Sequence, residues 1–300
     1  MSGPAASKSV HLFHTCLVNE IDPDVGMAVV RVLERAGVVV HVPADQTCCG
    51  QPAYNAGFQD EARQVARHTL QVLSQTRGPI VIPSGSCADM LVHQYAVLFQ
   101  DDPHLLETAR AVAKRCREFS QFLAEIAPHG VGGELPVSVA YHPSCHLLRG
   151  LGVKREPAAL IGGVAGARQI EVRDQEECCG FGGLFSVKNA EISTGMLDRK
   201  LAAVEASGAE RLVSCDLGCL LHLGGGLHRR GSRIRASSAW NGRQGMRACA
   251  LRWISPSPRP SRASSPEWPD PSFACPSSAG ASLWPPCRTS WESRWSSCPS

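Results

Sequence analysis

Short runs of apolar, β-prone residues alternate along the chain with longer stretches in which apolar positions recur every three or four residues. Val10 to Phe13, Val38 to Val42 and Ile80 to Ile82 are of the first kind, and each reads as a buried strand. Val25 to Ala36 places Val25, Val29, Val32 and Leu33 on one helical face and is followed by Gly37, a natural helix stop; Ala62 to Leu73 repeats the spacing through Val65, Leu70 and Leu73. The alternation then starts again, with strands at Val137 to Tyr141, Gln169 to Val172 and Arg211 to Ser214 and a helix at Leu197 to Ala206. Strands and helices alternating at this pace predict parallel βαβ units, hence an α/β fold.

The pattern stops near Ala236. All six Trp lie at or beyond Trp240, every Lys at or before Lys200, and the last sixty residues hold 14 Ser and 10 Pro with no helical or alternating apolar period. A stretch such as Ile254 to Pro266 offers too little apolar surface to offset its ordering entropy. Residues 237–300 therefore read as a disordered Pro/Ser/Arg-rich tail, either a genuine extension or the product of a GC-rich coding sequence read in a shifted frame. The tail also explains the charge: seven Arg in residues 241–300 face only Glu267, Asp270 and Glu292, so the net +3 of the 300-residue chain comes from there. The remaining body is close to neutral and has no electrostatic footprint for nucleic acid. With 43% hydrophobic and 19% charged residues the chain as a whole is not disordered, and no apolar run reaches the roughly 18 residues of a membrane span. Met1 to Val10 has no signal-like apolar core, so a cytoplasmic protein is expected.

Fourteen cysteines in a reducing compartment point to metal or redox chemistry rather than to disulfides. Eight of them repeat. Cys16, Cys48, Cys49 and Cys87 match Cys145, Cys178, Cys179 and Cys219 at offsets of 129, 130, 130 and 132, which makes the structural unit a domain of about 130 residues present twice. Each cysteine motif follows a predicted strand, where ligands of open α/β sheets sit. The adjacent pairs can serve one site only from a turn, which Gly50 and Gly180 supply. Structural zinc usually takes C-x₂₋₄-C pairs, whereas a larger iron–sulfur cluster accepts neighbouring thiolates on different irons. The residues favour a cluster and leave a zinc-stabilised scaffold as the rival.

The pattern of Cys16, Cys48-Cys49-Gly50 and Cys87, repeated as Cys145, Cys178-Cys179-Gly180 and Cys219, resembles the cysteine-rich CCG domain of heterodisulfide reductase B subunits, which also occurs in iron–sulfur subunits of glycolate and glycerol-3-phosphate oxidising systems. The wording CCGQPAYNAG (48–57), PSGSC (83–87), HPSCH (142–146), CCGFGGLFSVK (178–188) and GCLLHLGG (218–225) is similar to the lactate-utilization branch of these proteins. The resemblance covers about residues 8 to 236. It implies two tandem CCG domains, 8–130 and 136–236, in an iron–sulfur subunit of a complex oxidising L-lactate to pyruvate. One [4Fe–4S] cluster would be held by each cysteine quartet, and the partners would include a ferredoxin-like iron–sulfur protein. A heterodisulfide or thiol reductase subunit and a glycolate oxidase subunit are alternatives within the same chemistry.

The chain departs from the family pattern in two places. The full motif ends in C-x-x-C, but the positions three before Cys87 and Cys219 are Ser84 and Asp216, so four thiolates per domain are expected, with Cys215 a buried bystander. The family domain also continues with a strand and helix after GCLLHLGG, and here the Ser/Pro-rich composition predicts their loss. His142, His146 and His222 flank the second motif and are expected to act as hydrogen-bonding neighbours of the site rather than as ligands. Lys154 and Arg155 read as solvated charges, and Gly180 to Gly183 lacks the context of a dinucleotide fingerprint.

Overall fold

The structure, a computed structural model, describes residues 8–238. They form two four-stranded, all-parallel sheets. The first has β1 (Lys8–Leu12), β2 (Val38–His41), β3 (Ile80–Ile82) and β4 (Cys116–Glu118) in the order β2-β1-β3-β4. The second has β5 (Ser138–His142), β6 (Arg168–Ile170), β7 (Arg211–Ser214) and β8 (Arg235–Ser238) in the order β6-β5-β7-β8. The duplication extends to the register: Lys8 lies opposite Val38 and Ser138 opposite Arg168, each pair 130 residues from its counterpart.

Both faces of the first sheet are covered, as parallel strands require. Phe13, Ile80 and Ile82 pack beneath the helix Gln59–Ser74, while Val10, Leu12 and Val81 pack against the helices Pro23–Arg35 and Phe119–Ile126. The helices begin and end where the residues dictate. Ser84, Asp102, Glu118 and Asp216 cap N-termini with their side chains, and Gly37 adopts φ 76° just beyond Arg35.

Two expectations need correction. The second sheet does not lose its last strand: Arg235–Ser238 pairs along the whole of β7, in the place β4 takes beside β3. Its sequence RASS has no apolar run because the pairing is made by backbone, with Ala236 supplying the packing contact. Cys116, which has no counterpart in the cysteine repeat and so reads from the sequence as packing on a helix between the halves, lies instead in β4 and is buried in the core. The expectations for residues 239–300 lie outside the described residues. A shorter connection also distinguishes the repeats. A single helix, Leu217–Arg229, joins β7 to β8, whereas β3 reaches β4 through a series of helices from Gly85–Asp89 to Pro103–Arg115.

Candidate metal centres

Each thiol is delivered by the end of a strand. Cys16 opens the helix Cys16–Glu20 directly after β1, behind Thr15 at φ 60°; Cys48 and Cys49 lie in the loop after β2; Cys87 sits in the first turn of Gly85–Asp89 after β3. Cys145, Cys178, Cys179 and Cys219 take the same stations after β5, β6 and β7. Gly50 and Gly180 turn the chain at φ 84° and 87°, and each donates its N–H to the sulfur two residues back, Cys48 or Cys178, at 3.4 Å. A Cβ on Gly180 would lie 2.7 Å from the Ser193 carbonyl oxygen, so only glycine brings this turn so close to its helix.

The thiols of each repeat converge. Cys16 Sγ is 3.6 Å from Cys48 Sγ, and Cys49 Sγ 3.3 Å from Cys87 Sγ. In the second repeat Cys179 and Cys219 Sγ lie within 4.8 Å of each other and of a His142 ring nitrogen, and the Cys145 and Cys178 thiols perturb each other's protonation. Burial is the same in both: Cys49 and Cys87, like Cys179 and Cys219, are buried, while Cys16, Cys48, Cys145 and Cys178 are partly exposed. The ten described cysteines are all free thiols. Hydrogen bonds from Cys16 and Cys49 hold the Cys48 thiol far below its usual range, and Cys145 and Cys179 do the same for Cys178. The donors Cys16 and Cys145 are pushed up by the same bonds, with burial adding to the shift.

Cys215 stands apart. It packs with Val139, Tyr141 and Val213, receives the Tyr141 hydroxyl at 3.9 Å, and burial raises its thiol; Cys179 and Cys219 belong to a different cluster. Ser84 and Asp216, at the positions of the missing cysteines, are helix caps. Ser84 Oγ accepts from Cys87 N at 3.3 Å, and Asp216 Oδ1 accepts from Gly218 N at 3.1 Å and Cys219 N at 3.4 Å.

The two repeats meet at these same segments. Asp216 Oδ2 accepts Ser84 Oγ at 3.1 Å and Ser86 N at 2.9 Å, and Gly85 N donates to the Cys215 carbonyl at 3.2 Å. A Cβ on Gly85 would lie 2.7 Å from Leu147 Cβ, so the Cys87 helix rests directly on the chain just after Cys145. Reciprocally, Leu217 and Leu220 of the Cys219 helix pack on Val18 and Val25 of the first repeat. Asp89 bridges His146 Nδ1 at 2.6 Å and His93 Nδ1 at 2.8 Å. The Asp89 hydrogen bond raises His146, and the two imidazoles overcome the effect of burial to lower Asp89.

His222 contacts Ser193 Oγ at 3.5 Å and lies beside Phe181, with burial lowering it. Lys154 pairs with Glu176 at 2.6 Å on the exposed surface. Sequence reasoning missed Asp89 and Lys200. Lys200 is 1% exposed and donates Nζ to the carbonyls of Asp174 (3.2 Å) and Gln175 (2.5 Å), which bind down the loop before Cys178. A charge between Leu197 and Leu201 on an apolar helix face was the available signal.

A soft donor set of four converging thiols suits a thiolate-bound metal group. His142 strengthens the fit: it is 1% exposed, neither ring nitrogen has a partner, and it groups with Cys179 and Cys219 within 4.8 Å. No helix among the described residues is long and apolar enough to cross a membrane.

A family model for the CCG cysteine-rich domain matches residues 10–92 and 139–224, one match per repeat. Lactate utilization protein A of Exiguobacterium sp. is 41% identical over 229 residues, covering 76% of this chain and 93% of that protein. Lactate utilization protein A 2 of Bacillus mycoides is 43% identical, and lactate utilization protein A of Bacillus cereus 42% identical, each over 227 residues, 75% of this chain and 94% of the relative. Among solved structures, a hypothetical protein from Helicobacter pylori shares the fold with a TM-score of 0.55 at 10% identity, over 78% of this chain and 48% of its own. The chain belongs to the CCG cysteine-rich domain family and, within it, to the family of lactate utilization protein A.

Proposed function

We propose that the chain is the iron–sulfur electron-transfer subunit of a complex that oxidises L-lactate to pyruvate. Cys16, Cys48, Cys49 and Cys87 would hold one [4Fe–4S] cluster, and Cys145, Cys178, Cys179 and Cys219 the other. The observation that carries the reading is the twofold recurrence of one arrangement: two buried and two partly exposed thiols at the strand ends of each repeat. The lactate-utilization names of relatives more than 40% identical supply the substrate.

A cluster would supply one-electron storage. The chain's own residues do the rest. The partly exposed pairs leave each site an edge open to a partner, the buried pairs and their apolar packing exclude water, and Gly50, Gly180, Ser84 and Asp216 fix where the sulfurs stand. Lactate oxidation releases two electrons, so the chain acts with other subunits, including a ferredoxin-like iron–sulfur protein. It works in the cytoplasm, with neither nucleic acid nor a membrane span involved.

One sulfur separation is compatible with a second reading, a zinc-stabilised scaffold. A tetrahedral zinc thiolate with Zn–S of about 2.3 Å has edges of about 3.8 Å, close to the 3.6 Å between Cys16 and Cys48. Anaerobic purification separates the two. Brown protein with about eight irons and eight sulfides per chain is expected, and it should bleach on addition of lactate only when the partner subunits are present. Colourless protein with about one zinc per quartet would replace this reading with the scaffold.

A further inference from the structure

Superposing the repeats by their cysteine offsets shows where the two sites differ. Phe13 is buried with Cys49 and Cys87; its counterpart is His142, grouped with Cys179 and Cys219. Ile82, next to Phe13 across β1 and β3, corresponds to Ser214, the register partner of His142, whose hydroxyl also has no partner. Thr69, which donates to the Cys48 carbonyl at 3.3 Å, corresponds to the buried Lys200 once the buried faces of the two helices are matched, Ala66, Leu70 and Leu73 with Leu197, Leu201 and Val204. Around the same four thiols the first repeat places phenyl, sec-butyl and hydroxyl groups, and the second an imidazole, a hydroxyl and a cation.

Each unpartnered buried donor costs about 1–3 kcal/mol unless something accepts from it. His142 has no acceptor within the described protein and faces the sulfurs. An imidazole carries at least one N–H to give in either tautomer, and this one has only the sulfurs of Cys179 and Cys219 grouped with it. Lys200 gives Nζ protons to the carbonyls of both Asp174 and Gln175, the donor arrangement of an ammonium group. Hydrogen bonds to the sulfurs and nearby positive charge both stabilise the reduced form of an iron–sulfur centre and raise its potential.

We infer that the two centres are unequal by construction: His142 donates a hydrogen bond to a sulfur of the second centre, Lys200 adds its charge, and the second centre is the higher-potential, electron-receiving end of the pair. The inference rests on the proposal that each quartet holds an iron–sulfur cluster. His142 and Lys200 are positioning residues that act through the centre.

The test is a potentiometric titration of the anaerobically reconstituted full chain, followed by electron paramagnetic resonance, with iron counted in parallel. Two midpoint potentials are expected in the native sequence, and a Cys145→Ala, Cys178→Ala variant should retain only the lower. His142→Phe and Lys200→Thr, which install the first-repeat residues, should each lower the upper potential at unchanged iron content and leave the other in place. Phe13→His should raise the lower one, which keeps the test decisive if His142→Phe does not fold. Two iron centres with coincident potentials, or substitutions that move neither potential or the wrong one, would overturn the inference alone. A chain that takes up no iron would instead overturn the proposal beneath it.

Discussion

Replacing Asp216 tests whether one carboxylate holds both thiol-bearing helices. Oδ1 caps the Cys219 helix through Gly218 N and Cys219 N, and Oδ2 receives Ser86 N and Ser84 Oγ from the Cys87 helix of the other repeat. Asp216 is 5% exposed, so water cannot stand in freely for what is removed. Loss of the cap costs about 1 kcal/mol. The cross-repeat bonds to a charged acceptor contribute about 1.5–3 kcal/mol each, reduced because Ser84 keeps the Ser86 hydroxyl at 3.1 Å as an alternative partner. Asp216→Ala should therefore destabilise by about 4 kcal/mol, a large part of an ordinary domain's stability. Asp216→Ser, which caps as Ser84 does but is too short to span the repeats, should lose about 2–3 kcal/mol. The assay is urea unfolding of the reduced, metal-free full chain by far-UV circular dichroism. At an m-value of about 3 kcal/mol/M the alanine variant should shift the midpoint by more than about 1 M. A Ser84→Ala, Asp216→Ala double-mutant cycle should show positive coupling. An alanine variant within about 1 kcal/mol of the native chain, or a serine variant equally unstable, would refute the shared-carboxylate argument.

Three further outcomes follow from the same geometry. Burial pushes the Glu118 carboxyl up to about 7, with the Asp216 carboxylate adding to the shift. The folded state then keeps a proton that the unfolded chain releases from about pH 4.5, so stability falls as pH rises through that window and levels off above about 7, by up to about 3 kcal/mol. Glu118→Gln should flatten this fall in urea titrations at several pH values, and an unchanged slope would sink the assignment. Gly180→Ala, facing the Ser193 carbonyl at 2.7 Å and Met196 Cβ at 2.9 Å, should cost about 3 kcal/mol and deplete iron from the second centre alone. Gly50→Ala, whose nearest neighbour is the Ala62 carbonyl at 3.3 Å, should cost less, and the reverse ranking in unfolding and iron assays would contradict the packing. Cys215→Ala should keep the full iron content while Cys219→Ala loses iron; equal losses would make Cys215 a ligand.

The strands that carry the thiols could be read in the sequence because they are apolar runs, and the site could be read because its cysteines occur twice at nearly constant offsets. β4 and β8 could not. CRE and RASS offer neither period nor hydrophobicity, and their strand character comes from a neighbour's backbone, which is a long-range property. The same limit hid the interface. Ser84 and Asp216 looked like gaps in a cysteine motif, and only their hydrogen bonds across 132 positions show what they do instead. His142 was visible as a histidine, but its burial and lack of partners depend on β7 and on the Cys178-Cys179 turn arriving beside it.

The carboxylate of Asp216 also sets an order of events during synthesis. The Cys87 helix leaves the ribosome well before residue 216, and its Ser84 hydroxyl and Ser86 amide must wait for that later stretch before their native acceptor exists. The duplicated halves are therefore no longer interchangeable modules. A nascent chain halted between them would hold its first four thiols without the clasp that completes their frame.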